Sequence, residues 1–171
     1  MRKVIISTVG SSLITNKFSN KERNEINAIS NFIFDELIED KRYHGIIDKI
    51  EKTNYTEIDN LESASAELNG IVKYYGAYEA IDKNDMHFLL HTDTYLGEFS
   101  AKKIKEILNN AGIKNVNLQK IMSLNTKNSK EFNQGIKNLF KWCYDYVPKY
   151  RDNKYDVIFN LTGGFKSLQG Y

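Results

Sequence analysis

Three short segments of the chain carry a high density of small and polar residues directly after apolar stretches. The residues in them that could contact a ligand are Gly10, Ser11 and Ser12, then Thr92, Asp93 and Thr94, and finally Thr162, Gly163, Gly164 and Lys166. Glycine allows a phosphate to approach the backbone, hydroxyl groups donate hydrogen bonds, and lysine supplies a positive charge. One such segment alone would indicate a tight turn. Three together predict a site for a phosphate-bearing ligand.

The familiar cofactor motifs are absent from the sequence. The first apolar stretch ends in TVGSSL rather than G-x-G-x-x-G, and no G-x-x-x-x-G-K-[ST] follows any strand, so NAD, FAD or ATP held in the usual ways is not expected. With three histidines and no Cys/His cluster, we expect no metal and no cofactor. His91 is interpreted as a packing residue or a ligand contact. Asp93 either caps the following helix or contacts a ribose hydroxyl.

Four segments are predicted to be strands, and the first of them is β-branched and almost continuously apolar, as expected of a strand buried on both faces. They are Lys3–Val9, Met86–His91, Val116–Ile121 and Asp156–Leu161. The intervening segments show helical periodicity, and strands that alternate with helices predict an α/β fold with a Rossmann-like, doubly wound and mostly parallel sheet. Without a repeat or a composition break, residues 1–171 are predicted to form a single domain. The carboxyl ends of its strands, with the three polar segments, would share one edge.

Helical periodicity predicts the elements that position these strands. One pattern joins Ile26, Ile29, Ile33 and Leu37, and a second runs from Ile58 to Tyr75, with a short helix and a loop between them. Further helices are predicted with apolar faces at Ala101, Ile104, Leu108 and Ala111, and at Phe132, Ile136, Leu139, Phe140, Cys143 and Val147. Gly112 would end the first of these, and Ser129 would cap the second. Cys143 is interpreted as a packing residue because it lies on the apolar stripe.

The composition limits the functions that the chain can have. Among 171 residues, 41% are hydrophobic and 27% charged, and the net charge is +2, which argues against a broad surface for long DNA or RNA. No apolar run is long enough to cross a bilayer, so no membrane partner is expected. A single cysteine suits a reducing compartment, and the predicted location is cytoplasmic.

Three motifs resemble those of the CRISPR-associated Rossmann fold (CARF) family, and most closely its branch that includes archaeal ring nucleases. The motifs are STVGSSLITN (Ser7–Asn16), HTDTYLGEFSAKKIKEIL (His91–Leu108) and NLTGGFKSLQGY (Asn160–Tyr171). They occur in the family's order and span nearly the whole chain. The resemblance implies a sensor of cyclic oligoadenylate, with tetra- or hexa-adenylate bound at a homodimer interface.

The resemblance also implies roles for individual residues. Gly10, Ser11 and Ser12 match the family's phosphate-contacting loop, Thr92 to Thr94 match its second-strand loop, and Thr162 to Lys166 match its T-G-G-x-K element, whose lysine contacts phosphate. The alternative function is a stand-alone, metal-independent ring nuclease. Ser11 or Ser12 would then orient the phosphate and Lys166 would stabilise the transition state, leaving products with 2′,3′-cyclic phosphate ends.

The last residues after Lys166 carry a further expectation. Ser167 to Tyr171 would form barely more than one helical turn, which is not stable alone. We therefore expect the natural protein to continue with the rest of this helix and another strand. Because many members of the family carry an effector domain after the sensor, the resemblance implies that such a domain is missing here.

Overall fold

The computed structural model of this chain describes residues 2–58 and 60–164. Its single sheet contains β1 (Lys3–Thr8), β2 (Met86–Thr92), β3 (Val116–Ile121) and β4 (Asp156–Asn160). The strand order is β3-β2-β1-β4, and each neighbouring pair is parallel. The prediction of a single-domain, Rossmann-like α/β fold with a parallel sheet is confirmed.

Helices cover both faces of this sheet. The α-helices of the described residues are α1 (Ser12–Thr15), α2 (Asn20–Ala28), α3 (Phe34–Glu39), α4 (His44–Lys52), α5 (Leu61–Ala64), α6 (Ala66–Tyr75), α7 (Tyr95–Asn110) and α8 (Ser129–Asp152). Short 3₁₀ helices lie at Lys41–Tyr43 and Tyr78–Ala80. Residues of α1 to α7 build the core on one face, and α8 builds the core on the other. In the described part of the chain, no helix has the length and apolar character needed to span a bilayer.

Side-chain alternation along the central strands supplies both cores. Ile5 and Leu89 point to the face of α6 and α7, whereas Val4, Ile6 and Phe88 point to α8. Since successive side chains of a strand face opposite ways, a strand covered on both faces must be apolar at every position. This explains the continuous apolar runs of β1 and β2.

The direction in which successive strands are added to the sheet reverses between β1 and β4. From β1 the chain winds to β2 and β3, and α8 then carries it back across the sheet to pair β4 with the other edge of β1. At such a reversal the connections leave neighbouring strand ends in opposite directions, which opens a crevice at the carboxyl edge. The first and third polar segments follow β1 and β4, so they border this crevice.

The predicted helix through Ile26, Ile29, Ile33 and Leu37 is wrong as a single element. Helix α2 ends at Ala28, and α3 begins at Phe34. Between them, Asn31 Oδ1 accepts hydrogen bonds from the backbone N–H and the hydroxyl of Thr126, both at 3.1 Å. This contact with the loop after β3 is a tertiary interaction, and helical periodicity carries no information about it.

Two further details of the helices differ from the prediction, and a third matches it. The stretch from Ile58 to Tyr75 is divided at Ser65, whose hydroxyl caps α6 by accepting from Leu68 N–H at 3.2 Å. Asn128, not Ser129, caps α8. The ending of α7 near Gly112, which has φ +88°, is confirmed.

The predicted apolar face of α8 is largely confirmed. Ile136, Leu139 and Val147 are buried in the core of that face, and Cys143 is half-buried against it. Phe140 is instead exposed by about half. Burial raises the pKa of the Cys143 thiol, which is consistent with the prediction that it is a packing residue.

His87 is an exception to the apolar pattern of β2. The side chain is 0% exposed, and among the described residues neither ring nitrogen has a hydrogen-bond partner. Desolvation lowers the pKa of His87 to about 4, although the nearby Asp85 carboxylate acts in the opposite direction. The native ring is therefore neutral at pH values where an unfolded histidine is already protonated.

This difference predicts a dependence of stability on pH. Between pH 6.5 and 4 the unfolded chain binds a proton at residue 87 that the native protein does not, so the free energy of unfolding falls as the pH falls. The fall due to His87 is about 3 kcal/mol across this window. Burial also lowers the pKa of His91. His91 therefore contributes to the fall in the free energy of unfolding in the same direction.

Urea unfolding from pH 7 to pH 4 measures this dependence. We expect His87→Leu to reduce the fall by about 3 kcal/mol, because the substitution removes the proton that only the unfolded chain binds. His44→Leu, the same substitution at an exposed histidine, is the matched variant with which the effect at residue 87 is compared. Equal slopes for His87→Leu and the parent would contradict the prediction.

Candidate functional site

A cleft of about 600 Å³ opens at the carboxyl edge of the sheet. The predicted ligand-binding residues that line it are Gly10, Ser11, Ser12, Thr92, Thr94, Thr162, Gly163 and Gly164. The three polar segments do converge, as the strand-end argument predicts. Asp93 does not line the cleft, and Lys166 lies outside the described residues. Ligand binding by these residues stays a prediction.

The loops after β1 and β4 touch each other on one side of the cleft. Gly164 has φ +72°, a conformation that glycine adopts without strain. A Cβ on Gly10 would lie 2.8 Å from Gly164 N, so no larger residue fits between the two backbones. Thr8 Oγ1 also donates a hydrogen bond to the carbonyl of Gly163. The glycines therefore serve a close approach of two loops.

Glu67, the second residue of α6, lies behind this junction. Its side chain is 0% exposed, and Oε1 accepts a hydrogen bond from Gly10 N–H at 2.7 Å. Oε2 accepts from Ser12 Oγ at 3.1 Å, and a Cβ on Gly163 would overlap with the carboxylate. Because Glu67 lies at the amino end of α6, the helix dipole stabilises a negative charge on its carboxylate. Glu67 thus connects α6 with both glycine loops.

The two serines of the first loop have different roles. Ser12 Oγ donates to Glu67 and accepts from Ala66 N–H at 3.0 Å, so its hydrogen-bonding capacity is used inside the protein. Ser11 precedes α1 without capping it through its side chain, and it lines the cleft. Of the two hydroxyls, that of Ser11 is the one available to a ligand.

The loop after β2 excludes one of the two alternatives for Asp93. Thr94 caps α7 by accepting from Gly97 N–H at 3.3 Å, so the alternative in which Asp93 is the cap is wrong, and the ribose contact stays a prediction. Asp93 Oδ2 instead accepts from Ser123 N–H at 2.9 Å. His91 is buried, and its Nδ1 lies 2.8 Å from the carbonyl of Thr92. His91 is thus a packing residue.

The wall of the cleft is polar but uncharged within the described residues. Hydroxyl and amide groups line it, including Asn31, Asn125 and Thr126 from loops that were not part of the predicted site. No aspartate, glutamate, lysine or arginine of the described ranges does so. Within these ranges no group of three or more His, Cys, Asp or Glu residues is arranged to hold a metal ion. The described wall can therefore offer hydrogen bonds to a ligand.

Sequence reasoning missed Glu67. Its neighbours Ser65 and Leu68 make the segment typical of an amphipathic helix start, where an acidic residue is expected on the surface. No spacing rule places it behind Gly10, which precedes it by 57 residues. The one available signal is the glycine content of the two loops, which indicates that another group approaches them closely.

A parallel sheet with a polar cleft at its topological reversal defines a Rossmann-like α/β protein. The chain belongs to the family described as CRISPR-associated protein (Cas_APE2256), whose model matches residues 62–171. The matched segment contains Glu67 and the loops after β2 and β4. No curated protein matches the chain.

Packing of α6 against the loop after β4 leads to a stability prediction. A Cβ on Gly70 would overlap with Asn160 Oδ1 and Thr162 Oγ1. Asn160 cannot easily move, because its Nδ2 donates to Ser7 Oγ at 3.1 Å and to the carbonyl of Glu67 at 2.9 Å. We expect Gly70→Ala to lower the free energy of unfolding by about 1–3 kcal/mol, measured in urea.

Gly45 provides a matched control for this substitution. It also lies in a helix, α4, but nothing lies within 4 Å of the Cβ that alanine would add. Gly45→Ala should therefore raise the free energy of unfolding by up to about 1 kcal/mol. Effects of the same sign and size in both variants would contradict the proposed packing of α6.

Proposed function

We propose that the chain binds a cyclic oligoadenylate in this cleft as a CARF-type sensor of type III CRISPR signalling, with two copies enclosing one ring. The observation that carries the proposal is the convergence of three loops on one cleft, in a chain that belongs to a CRISPR-associated family. All three loops carry hydroxyl groups, and the loops after β1 and β4 also carry glycine. The resemblance of the same loops to the CARF family adds the class of ligand.

The chemistry of the cleft wall suits a ring of nucleotides. Each phosphodiester of such a ring carries one negative charge and is flanked by ribose hydroxyl and adenine groups. The hydroxyls and amides of the wall match these groups by hydrogen bonding, and Ser11 supplies one of these hydroxyls from the first loop.

The size of the cleft supports a shared site. A volume of about 600 Å³ is typical of pockets for a drug-sized molecule, which corresponds to one or two nucleotides rather than four or six. A homodimer places two identical clefts about one two-fold axis, and a ring of identical nucleotides has matching symmetry. One ring per two chains is therefore the proposed stoichiometry.

Slow cleavage of the ring is the second proposed activity, and the free hydroxyl of Ser11 at the cleft favours it. A ribose 2′-oxygen would form a bond to the adjacent phosphorus while the bond to the 5′-oxygen breaks. The 2′-hydroxyl proton passes to the leaving 5′-oxygen, and a 2′,3′-cyclic phosphate remains. The protein would contribute in-line positioning, with Ser11 orienting the phosphate.

Isothermal titration with cyclic tetra-adenylate and cyclic hexa-adenylate tests the proposed binding. We expect one of the rings to bind with one ring per two chains, and sedimentation should show a dimer in the complex. Linear adenylate of the same length is the matched control and should bind more weakly, because it lacks the closed symmetric shape. One ring per chain, or no binding of either ring, would refute the proposal.

The same mixtures, analysed after prolonged incubation with excess EDTA, test the proposed cleavage. We expect linear products with 2′,3′-cyclic phosphate ends, because the proposed step uses no metal ion. Intact rings would leave binding as the only activity. Activity that EDTA removes and a divalent ion restores would contradict the proposed step.

The adjacent serines give a second prediction about the site. Ser11→Ala should weaken ring binding by about 0.5–1.5 kcal/mol, the value of one hydrogen bond, and change the free energy of unfolding by less than about 0.5 kcal/mol. Ser12→Ala should lower the free energy of unfolding by about 1–2 kcal/mol, since Ala66 N–H loses its acceptor. Calorimetry and urea unfolding measure the two effects.

Each serine variant is the control for the other, because the substitutions are chemically identical and adjacent in the chain. The opposite pattern, with Ser11 needed for stability and Ser12 only for binding, would show that the assignment of the two hydroxyls is wrong.

A further inference from the structure

The carboxylate of Glu67 lies immediately behind the part of the cleft wall where a phosphate would approach the first loop. Gly10 and Ser12, its two hydrogen-bond donors there, are themselves wall residues. Among the described residues no basic side chain forms an ion pair with Glu67. A ligand anion at this wall therefore experiences a negative charge that the described residues do not neutralise.

The hydrogen bonds to Glu67 also occupy two donors that could otherwise bind an anion. Gly10 N–H points to Glu67 Oε1 at 2.7 Å, and the Ser12 hydroxyl points to Oε2 at 3.1 Å. The loop thus presents less hydrogen-bonding capacity to a phosphate than its sequence indicates. With fewer donors and a charge of the same sign behind them, the loop favours a phosphate of low charge.

We propose that Glu67 is a positioning residue of the cleft that makes it select phosphodiesters over phosphomonoesters. A phosphodiester carries one negative charge, whereas a terminal phosphomonoester carries between one and two at neutral pH. Each additional negative charge near a buried carboxylate is unfavourable because water screens the pair poorly there. This inference rests on the proposed function, since it concerns nucleotide binding in the same cleft.

The consequence is discrimination between closed and open oligonucleotides. A ring has phosphodiesters at every linkage and no terminal phosphate. A linear chain with a terminal phosphomonoester has a comparable size but an additional charge at one end. Glu67 would therefore exclude such chains by charge, independently of their shape.

Two linear tetra-adenylates provide the test, one with a 5′-phosphate and one whose 5′-phosphate is a methyl ester. The two ligands differ only at the 5′-phosphate, where the ester has an additional methyl group and a smaller negative charge. We expect the parent to bind the methyl ester more tightly, and Glu67→Gln to reduce that preference by about threefold or more. Glutamine keeps the shape and the acceptor oxygen for Gly10 N–H but removes the charge.

Glu62→Gln is the matched control, because it removes the same charge from a more exposed side chain on the preceding helix. It should leave the preference between the two ligands unchanged. A variant that only destabilises the fold would weaken the binding of both ligands by the same factor. The ratio of the two affinities therefore distinguishes charge selection from structural damage.

The outcomes distinguish this inference from the proposed function. If the parent binds cyclic tetra- or hexa-adenylate but Glu67→Gln leaves the ratio unchanged, the inference is wrong and ring binding stands. If the parent binds neither the rings nor the linear chains, both are wrong. If Glu67→Gln does not fold, the parent protein alone tests the inference. Equal affinity of the parent for the two linear ligands would then refute it.

Discussion

The architecture of the cleft depends on the contact between two glycine loops around one buried carboxylate. Gly10 approaches Gly164 so closely that a Cβ on Gly10 would lie 2.8 Å from Gly164 N. The Glu67 side chain occupies the space beside Gly163 and binds the first loop by hydrogen bonds. Because Glu67 lies in the first turn of α6, these contacts fix the helix relative to both strand ends. The cleft wall follows from this arrangement.

Burial of a carboxylate without a described cationic partner requires other compensation. An unpaired charge inside a protein costs several kcal/mol unless hydrogen bonds and dipoles replace its hydration. A backbone N–H, a serine hydroxyl and the amino end of α6 supply that replacement for Glu67. The compensation uses polar groups of the wall itself, so internal stability and ligand chemistry draw on the same atoms.

The parallel sheet and the position of the cleft were predictable because strand periodicity and the strand-end rule depend on local sequence. The interruptions at Asn31 and Ser65 were not, since the first depends on a contact with Thr126 from a distant loop and the second lies within a continuous apolar pattern. Asp93 illustrates the same limit: its partner is Ser123, thirty residues away. Local patterns identify elements, and distant contacts decide which polar group meets which.

The pairing of β1 with β4 has a consequence for how the protein folds during synthesis. Ser7 and Asn160, which bond across this pair, are 153 positions apart in the chain. Contacts of such long range are slow to form, because a large loop must close before they contribute to stability. Strands β1 to β3 with α1 to α7 can assemble while the ribosome is still translating. Until β4 emerges, one edge of β1 remains open, with backbone N–H and C=O groups that have no strand partner.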